Sequence, residues 1–437
     1  MKKLLLILLC VPLIGLGQGW EKTYGGGNTD YGYSVQQTTD GGYIITGTGL
    51  FGNIDDDIYL IKTNSIGDSL WVKTFGGTNI DIGYSVHQTT DGGYIITGIK
   101  NWNPFSPSLD SSNVWLIKTD GNGNEQWTKT FGGSNHDEGR SVQQTTDGGY
   151  IICGSTQSFG NGSDVYLIKT DGNGIQQWYQ TFSGTSDDLG YSVQQTTDGG
   201  YIICGSTWSS SVGWDVWLIK TDVSGNQQWN QINGGTNDDG GESIKQTTDG
   251  GYIICGNTSS FSNPVGYIIR SDIYLIKTDS QGDSLWTRTF GGNGHDFGHS
   301  VQQTTDDGYI ICGSTSSFGN VFDVYLIKTD INGVEQWSQT FGGNGDNFGL
   351  SVQQTTDDGF IITGSYQNSL GTERKVYLIK TDSQGNITST FNILIPSSTR
   401  KLEKVIDILG KQTKPKPNTP FIEIYDDGTV EKKTIIE

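Results

Sequence analysis

One acidic position recurs along the chain about every 50 residues and is the first candidate for chemistry. Each of these residues stands two positions before a glycine, and together they are Asp30, Asp81, Asp137, Asp188, Asp239, Asp296 and Asn347. Ca²⁺ prefers oxygen ligands, so a ring of acids is a candidate calcium site. Against this, acids that are spread singly round a ring share an ion poorly. We expect these side chains to cap turns, keep calcium as the alternative cofactor, and assign no metal ligand.

Aromatic residues in the segments that vary most between repeats are the candidates for ligand binding. Trp102 and Trp214 have no equivalent in most other repeats and lie near polar Ser and Asn residues. Such rings suit stacking on sugars, and variable segments on a rigid scaffold commonly hold binding residues. We predict ligand contacts for Trp102, Phe105, Trp208 and Trp214. Three other rings recur in register and are interpreted as structural: Phe159, Phe261 and Phe318.

No arrangement of residues predicts catalysis. The four histidines, His87, His136, His295 and His299, replace ordinary repeat residues and show no metal-binding spacing. Neither a nucleophile elbow nor a phosphate-binding loop is present. Glycoside hydrolysis needs two carboxyls about 5–10 Å apart. Acids outside the repeat pattern exist, Glu242 among them, but the sequence does not pair them, so we predict no catalytic residue.

Four cysteines share one repeat position, which threonine occupies elsewhere; they are Cys153, Cys204, Cys255 and Cys312. Equivalent positions in packed sheets lie about 10 Å apart. A disulfide requires Cα atoms within roughly 7 Å. We therefore predict buried, free thiols.

The elements that position these residues follow from one stretch, residues 34–47. It returns with small changes at Ser85, Ser141, Ser192, Ser243, Ser300 and Ser351. Asp-Gly-Gly supplies a tight turn, in which Asp40 and its equivalents bond the backbone, and the flanks are β-branched or aromatic. Two further strand-like segments complete each repeat. Four strands per repeat predict an all-β fold, a seven-bladed β-propeller. We also predict a small C-terminal β segment beyond the propeller.

A spare strand predicts how the ring closes. Six repeats end in a strand that begins with tryptophan, at Trp71, Trp127, Trp178, Trp229, Trp286 and Trp337. The seventh repeat lacks it, but residues 20–24 carry a spare copy, Trp-Glu-Lys-Thr-Tyr. We predict a propeller over residues 18–391, closed by pairing of this N-terminal strand near residues 376–380. Closure pairs strand edges that would otherwise be exposed.

The repeats resemble kelch repeats. In repeat 3 an apolar strand ends in Gly154, and Asp164-Val165-Tyr166, a hairpin and Trp178 follow. The resemblance covers all seven repeats, although one glycine follows the apolar strand where kelch repeats carry two. It implies a propeller and carries no function.

Both ends of the chain predict export. Lys2 and Lys3, an apolar run over residues 4–14 and a small-residue site ending at Gly17 predict a signal peptide, residues 1–17. No other stretch is apolar enough to be transmembrane. Residues 392–437 contain Val-Ile-Asp-Ile-Leu-Gly and Ile-Tyr-Asp-Asp-Gly-Thr-Val-Glu-Lys, and they resemble the C-terminal sorting domains of Bacteroidota type IX secretion substrates. The resemblance implies recognition by that machinery and a secreted or outer cell-surface location.

The charge limits the partners. With 27 Lys and Arg against 47 Asp and Glu, the net charge is −20, which disfavours nucleic acid and anionic membranes. The sequence therefore predicts a secreted or cell-surface non-catalytic binding or adhesion module for an extracellular glycan or protein. The alternative is an extracellular enzyme that acts on polysaccharides, similar to a glycoside hydrolase, because fold alone does not decide function.

Overall fold

A computed structural model of the chain describes residues 19–26, 29–49, 56–103, 111–184, 186–211, 213–262, 270–387, 402–407, 411–414, 421–425 and 430–433. The chain divides into two compact units, Met1–Thr388 and Ser389–Glu437. Among the described residues, no helix is long and apolar enough to cross a membrane. The first unit is a seven-bladed β-propeller in which every blade is a four-stranded antiparallel sheet, as predicted.

The strands follow one another through the blades in chain order. Blade 1 contains β2 (Tyr31–Gln37), β3 (Tyr43–Gly49), β4 (Asp57–Thr63) and β5 (Ser69–Phe75). Blade 2 contains β6 (Ile80–Gln88), β7 (Tyr94–Trp102), β8 (Asn113–Thr119) and β9 (Glu125–Phe131). Blade 3 contains β10 (Asp137–Gln144), β11 (Tyr150–Thr156), β12 (Asp164–Thr170) and β13 (Gln176–Phe182). Blade 4 contains β14 (Asp188–Gln195), β15 (Tyr201–Ser209), β16 (Gly213–Thr221) and β17 (Gln227–Asn233).

The last three blades repeat this order. Blade 5 contains β18 (Asp239–Gln246), β19 (Tyr252–Thr258), β20 (Asp272–Thr278) and β21 (Ser284–Phe290). Blade 6 contains β22 (Asp296–Gln303), β23 (Tyr309–Thr315), β24 (Asp323–Thr329) and β25 (Glu335–Phe341). Blade 7 contains β26 (Phe348–Gln354), β27 (Phe360–Gln367), β28 (Arg374–Thr381) and the N-terminal strand β1 (Trp20–Tyr24). The first strand of each blade contacts the first strands of its two neighbours, so these strands surround a central channel.

Strand β1 closes the ring where the sequence predicts it. It pairs antiparallel with β28, and the register runs from Trp20 opposite Lys380 to Tyr24 opposite Val376. The indole of Trp20 then lies against Tyr43 of blade 1, with ring centroids 5.8 Å apart. It also contacts Gly67, whose φ is 79° and where a Cβ would stand 2.5 Å from the indole. Glycine is therefore required at this turn.

The other six junctions between blades use the same contact. In each, the tryptophan of a fourth strand lies against an aromatic residue of the next blade, with centroids 5.8 to 6.0 Å apart. The pairs are Trp71–Tyr94, Trp127–Tyr150, Trp178–Tyr201, Trp229–Tyr252, Trp286–Tyr309 and Trp337–Phe360. The closing junction is thus built like the other six.

The core lies between adjacent blades. The two middle strands of a blade are buried on both faces, as in β3 and β4, whereas the outer strand β5 consists of exposed and half-buried residues up to the buried Phe75. Cys153 belongs to the cluster between blades 3 and 4, and its Sγ lies 2.7 Å from the position of a Cβ on Gly190. The four cysteines of this position are buried and free, as predicted. The glycine allows the neighbouring blades to approach each other closely.

The polar residues of the repeated stretch also hold the blades together. The hydroxyl of its serine accepts a hydrogen bond from a backbone N–H of the next blade, at 3.2 to 3.3 Å. The donor is the Val or Ile that directly follows the equivalent serine of that blade. The seven serines are Ser34, Ser85, Ser141, Ser192, Ser243, Ser300 and Ser351. These bonds form a complete ring round the channel, because each serine links two blades.

The turn aspartates pair with buried lysines. Asp40 accepts the N–H of Gly42 at 3.0 Å, as expected of turn chemistry, and its other oxygen lies 2.9 Å from Lys62 Nζ. Burial raises the pKa of Asp40, but hydrogen bonds from Thr38 and Lys62 outweigh it and lower the pKa to about 2. The equivalent pairs are Lys118–Asp91, Lys169–Asp147, Lys220–Asp198, Lys277–Asp249, Lys328–Asp306 and Lys380–Asp357, at 2.9 to 3.0 Å.

The second unit contains a small antiparallel sheet. Its strands are β29 (Leu402–Asp407), β30 (Phe421–Tyr425) and β31 (Val430–Lys433), with β30 in the middle. Beyond β29 the chain turns back, and the N–H of Lys411 donates to the side chain of Asp407 at 3.0 Å. The small C-terminal β segment that the sequence predicts is therefore present.

Candidate functional site

The residue before each repeated serine differs in ways that the rest of the repeat does not. From blade 1 to blade 7 it is Tyr33, Tyr84, Arg140, Tyr191, Glu242, His299 and Leu350. In every blade the strand register shifts between the preceding glycine and the serine, so this residue is the extra residue of a β-bulge. Bulges re-aim side chains and are frequent beside binding and active sites. We call these seven positions the variable ring.

Members of the variable ring contact one another across the blades. The rings of Tyr33 and Tyr84 have centroids 5.2 Å apart. The guanidinium of Arg140 lies 4.0 Å from the centroid of Tyr84 and 5.8 Å from that of Tyr191. Such cation–π contacts favour the charged form and hold the guanidinium plane in place. Blades 1 to 4 therefore share one aromatic and cationic cluster.

An acid and a histidine orient Arg140. Its NH2 group donates to Glu138 Oε2 at 2.8 Å, and His136 Nε2 lies 3.7 Å from the same oxygen. His136 Nδ1 is hydrogen-bonded to the hydroxyl of Ser112 at 2.6 Å. Burial raises the pKa of Glu138, but the charge of Arg140 and hydrogen bonds from His136 and Arg140 lower it to about 2. Glu138 is thus ionised and neutralises Arg140 across the ordinary pH range.

Glu242 has the opposite electrostatic environment. Burial raises its pKa to about 6, although the charge of Arg140 opposes the shift. His299, the next member of the ring, has its pKa lowered to about 4 by burial. The variable ring therefore contains an acid that protonates readily and a histidine that stays neutral near pH 7.

A cavity of about 270 Å³ opens beside this cluster, between blades 2, 3 and 4. Tyr84, Glu138 and Arg140 form its inner wall, and Trp102 lies at the end of β7. Gln157 directly follows β11, and Ser163 directly precedes β12. The Nε of Arg140 is buried and has no hydrogen-bond partner among the described residues. The cavity thus combines aromatic faces with several polar groups, a composition typical of ligand sites.

The structure separates the four aromatic residues that the sequence singles out. Trp102 lines the cavity. Trp208 and Trp214 are opposite each other in β15 and β16, because that hairpin extends beyond the usual blade length. Neither of them lines the cavity, and Phe105 lies outside the described residues. The three recurring phenylalanines pack alike on tyrosines of third strands, with centroids 5.4 to 5.5 Å apart, which confirms their structural role; the pairs are Phe159–Tyr166, Phe261–Tyr274 and Phe318–Tyr325.

The recurring acids cap the connections between blades. Asp137 accepts the N–H of Gly133 at 2.8 Å and the hydroxyl of Ser158 at 2.7 Å. Asp81 accepts the N–H groups of Gly77 and Asn101 at 3.0 and 2.8 Å, while burial raises its pKa to about 6. Capping is therefore confirmed. In the part of the chain that the structure describes, no three His, Cys, Asp or Glu side chains gather as a metal site, and calcium stays a prediction.

The variable ring is the feature that the sequence interpretation missed. Its signal is visible in the sequence, because one position takes five residue types among seven nearly identical stretches. Glu242 and His299 resemble isolated departures from the repeat when each is considered alone. They share one repeat position with Arg140 and hence lie at one level of the channel.

Comparisons with known proteins give a limited picture. No family model matches the chain. An alignment of 194 residues, which covers 39% of this chain, is 27% identical to the regulatory protein FlaEY of Caulobacter vibrioides. The match spans 20% of that protein.

Solved structures are similar at low sequence identity. The Pan2 WD40 domain of Neurospora crassa has a TM-score of 0.49 at 11% identity, covering 81% of this chain and 91% of that one. Drosophila Semaphorin 2a has a TM-score of 0.49 at 6% identity, covering 83% and 75%. The extracellular domain of a putative hybrid two-component system from B. thetaiotaomicron has a TM-score of 0.46 at 10% identity, covering 91% and 46%.

Proposed function

We propose that this chain is an exported propeller that acts at the cell surface as a non-catalytic binding or adhesion module for a glycan. The observation that supports this most is the cavity between blades 2, 3 and 4. Its wall combines the indole of Trp102, the guanidinium of Arg140 and the amide of Gln157. These residues lie where the repeats differ, so they are free to serve a ligand.

The charge of the cavity favours a neutral ligand. Arg140 is already paired with Glu138 at 2.8 Å, and ion pairing leaves little attraction for a further anion. A sugar supplies a face of C–H groups for stacking on Trp102 and hydroxyls that accept from Arg140 and bond Gln157. A protein ligand, the other class that the sequence indicates, is one outcome of the test below.

Export is part of the proposal and rests on the sequence. The signal peptide over residues 1–17 supports entry into the secretory route. The resemblance of residues 392–437 to type IX sorting domains supports recognition by that machinery and display outside the cell. We include membership of a kelch-like repeat group in the same proposal, on the strands and turn residues of the seven repeats.

The test is a glycan array probed with the full chain, followed by titration of each hit. Trp102→Ala should weaken binding by roughly 1–3 kcal/mol. Trp214→Ala is the matched control, because it also removes a partly buried indole but one outside the cavity. Equal losses in the two variants, or none in either, would contradict the site. If a protein binds and no glycan does, and if Trp102→Ala weakens that binding, the ligand of the cavity is a protein instead of a glycan.

The polysaccharide-acting enzyme is the second candidate, and one observation favours it. Glu242 has its pKa raised by burial to about 6, while Glu138 has its pKa lowered to about 2. Two carboxyls with opposite shifts can serve as general acid and ionised partner. A reducing-sugar assay on the glycans that bind, with Glu242→Gln as the comparison, decides this. Release of sugar that Glu242→Gln abolishes would replace the binding module by the enzyme.

A further inference from the structure

A second cavity, of about 230 Å³, lies in the channel beyond the variable ring, nearer the Asp-Gly-Gly turns. Six of the seven repeated serines, all but Ser192, and the first glutamine of each Gln-Gln pair line it. In most blades this glutamine bonds to the next blade. Gln36 Oε1, for example, accepts the N–H of Gln88 at 2.6 Å. The equivalent bonds join Gln143 to Gln195, Gln194 to Gln246, Gln302 to Gln354 and Gln353 to Gln37, at 2.6 to 2.8 Å.

Two blades break this series of hydrogen bonds. His87 in blade 2 and Lys245 in blade 5 stand where the other five blades have glutamine. The N–H groups that a glutamine would bind belong to Gln144 and Gln303. No side chain among the described residues accepts from either of them. In these two blades a nitrogen-bearing side chain therefore lines the cavity in place of a glutamine that bonds to the next blade.

Lys245 has no negative partner in this cavity. The seven repeated lysines each have an aspartate at 2.9 to 3.0 Å. By contrast, serine, valine, glutamine and His87 are the other residue types that line the cavity of Lys245. Burial alone lowers the pKa of Lys245. An ammonium group held without a counter-ion in a protein of net charge −20 is unusual.

The hydrogen bond of His87 fixes its tautomer. Nδ1 lies 3.1 Å from the carbonyl oxygen of Gln88. Because a carbonyl only accepts, Nδ1 carries the hydrogen and Nε2 of the neutral ring is bare. Burial and the charge of Lys245 lower the pKa of His87, although the bond to Gln88 opposes the shift. An anion beside Nε2 would raise the pKa of His87 again, because its negative charge favours a proton on Nε2.

We propose that this end of the channel binds an oxyanion such as sulfate or phosphate, held by Lys245 and by protonated His87, which both line the cavity. An oxyanion has several acceptor oxygens and matches donors that converge from different blades. Binding takes up one proton at His87 Nε2. His87 and Lys245 are the titratable residues that line the cavity, so the pH dependence belongs to His87.

The test is calorimetric titration of the full chain with sodium sulfate at low ionic strength. Sulfate keeps its charge from about pH 8 to about pH 5.5, so affinity that rises as the pH falls reports on His87. Lys245→Gln should weaken binding about tenfold or more. His87→Gln should abolish the rise at low pH. Both variants install the residue that the other blades carry, so both should fold and complete the series of hydrogen bonds.

Two further comparisons complete the experiment. Trp102→Ala, in the other cavity, should leave sulfate binding unchanged. A sulfated monosaccharide is titrated beside the free ion. Binding that is lost in Lys245→Gln supports the oxyanion site, and the ligand that binds more tightly identifies the source of the anion. If neither ligand binds, or if Lys245→Gln binds sulfate as the natural chain does, the proposal is wrong.

Discussion

The serine ring and the variable ring are adjacent in sequence but differ in almost everything else. At the serine ring seven identical side chains make seven equivalent bonds between blades. One residue earlier, at the bulge, the seven side chains are of five types, and Arg140 contacts Tyr84, Glu138 and Tyr191. Both rings are carried by the same first strands, so neighbouring residues have separate tasks.

The difference shows where a repeat protein can carry function. Repeated residues hold adjacent blades, and a change in one of them disturbs a contact that every junction needs. The bulge residue is unpaired in its sheet, so its side chain varies without loss of a bond between blades. The comparison therefore predicts large stability effects at repeated positions and small ones at variable positions that form no ion pair.

The largest effect is expected at the tryptophans of the junctions. Trp20→Ala should lower the free energy of unfolding by about 3 kcal/mol, because the indole packs on Tyr43 and Gly67. Trp178→Ala should cost a similar amount, since it makes the equivalent contacts in blade 4. Urea unfolding of both variants measures this. A much smaller loss for Trp20→Ala would show that the closing junction is weaker than the other six.

Two neighbouring residues of β26 test the comparison within one strand. Ser351→Ala removes the acceptor of the Val35 N–H and should cost about 1 to 2 kcal/mol. Leu350→Tyr installs at the variable ring the residue of three other blades and should change stability by less than about 0.5 kcal/mol. Thermal melts of the two variants give the difference. Equal losses would mean that the variable ring also holds blades together.

Glu242 is expected to have a smaller effect on stability, and this effect should depend on pH. Its pKa is raised by burial to about 6, so its contribution to stability is present below the unfolded value and is lost as the pH rises through 6. Glu242→Gln should therefore be more stable than the natural chain by about 1 kcal/mol near pH 8, after allowance for partial exposure. Near pH 4 the two should be equal. A stability difference that does not change with pH would contradict the shift.

The smallest effect is expected at the shared cysteine and threonine position. Cys153→Thr should change stability by less than about 0.5 kcal/mol, because Thr46 at this position bonds the carbonyl of Tyr59 at 2.9 Å. Burial raises the pKa of the Cys153 thiol, so alkylation should occur only after unfolding. Mass spectrometry with and without denaturant checks this. Rapid labelling of the folded chain would show that the junction opens easily.

The repeats allow the fold to be predicted from the sequence. The candidate site was harder to predict, because it is formed by the residues that depart from the repeat. The missing seventh tryptophan and the spare Trp20 predict closure, because a count of equivalent strands needs no tertiary information. The pair of Asp40 and Lys62 was not predicted, since its members lie 22 residues apart and meet only when the blade folds. Trp102 was chosen as an aromatic residue in a variable segment, but its proximity to Arg140 depends on how blades 2 and 3 pack.

Closure by β1 has a consequence for how the chain reaches its native state. Trp20 and Lys380 are opposite each other in one sheet although almost the whole propeller separates them in sequence. Non-local pairing of this kind slows folding, so the seventh sheet should form last, with β28 as an open edge until β1 arrives. During that interval the first strand of another copy fits the same edge, and a strand-exchanged dimer is the expected by-product at high concentration. A circular permutant that carries β1 directly after residue 387 would make the last step local, fold faster and remove this by-product.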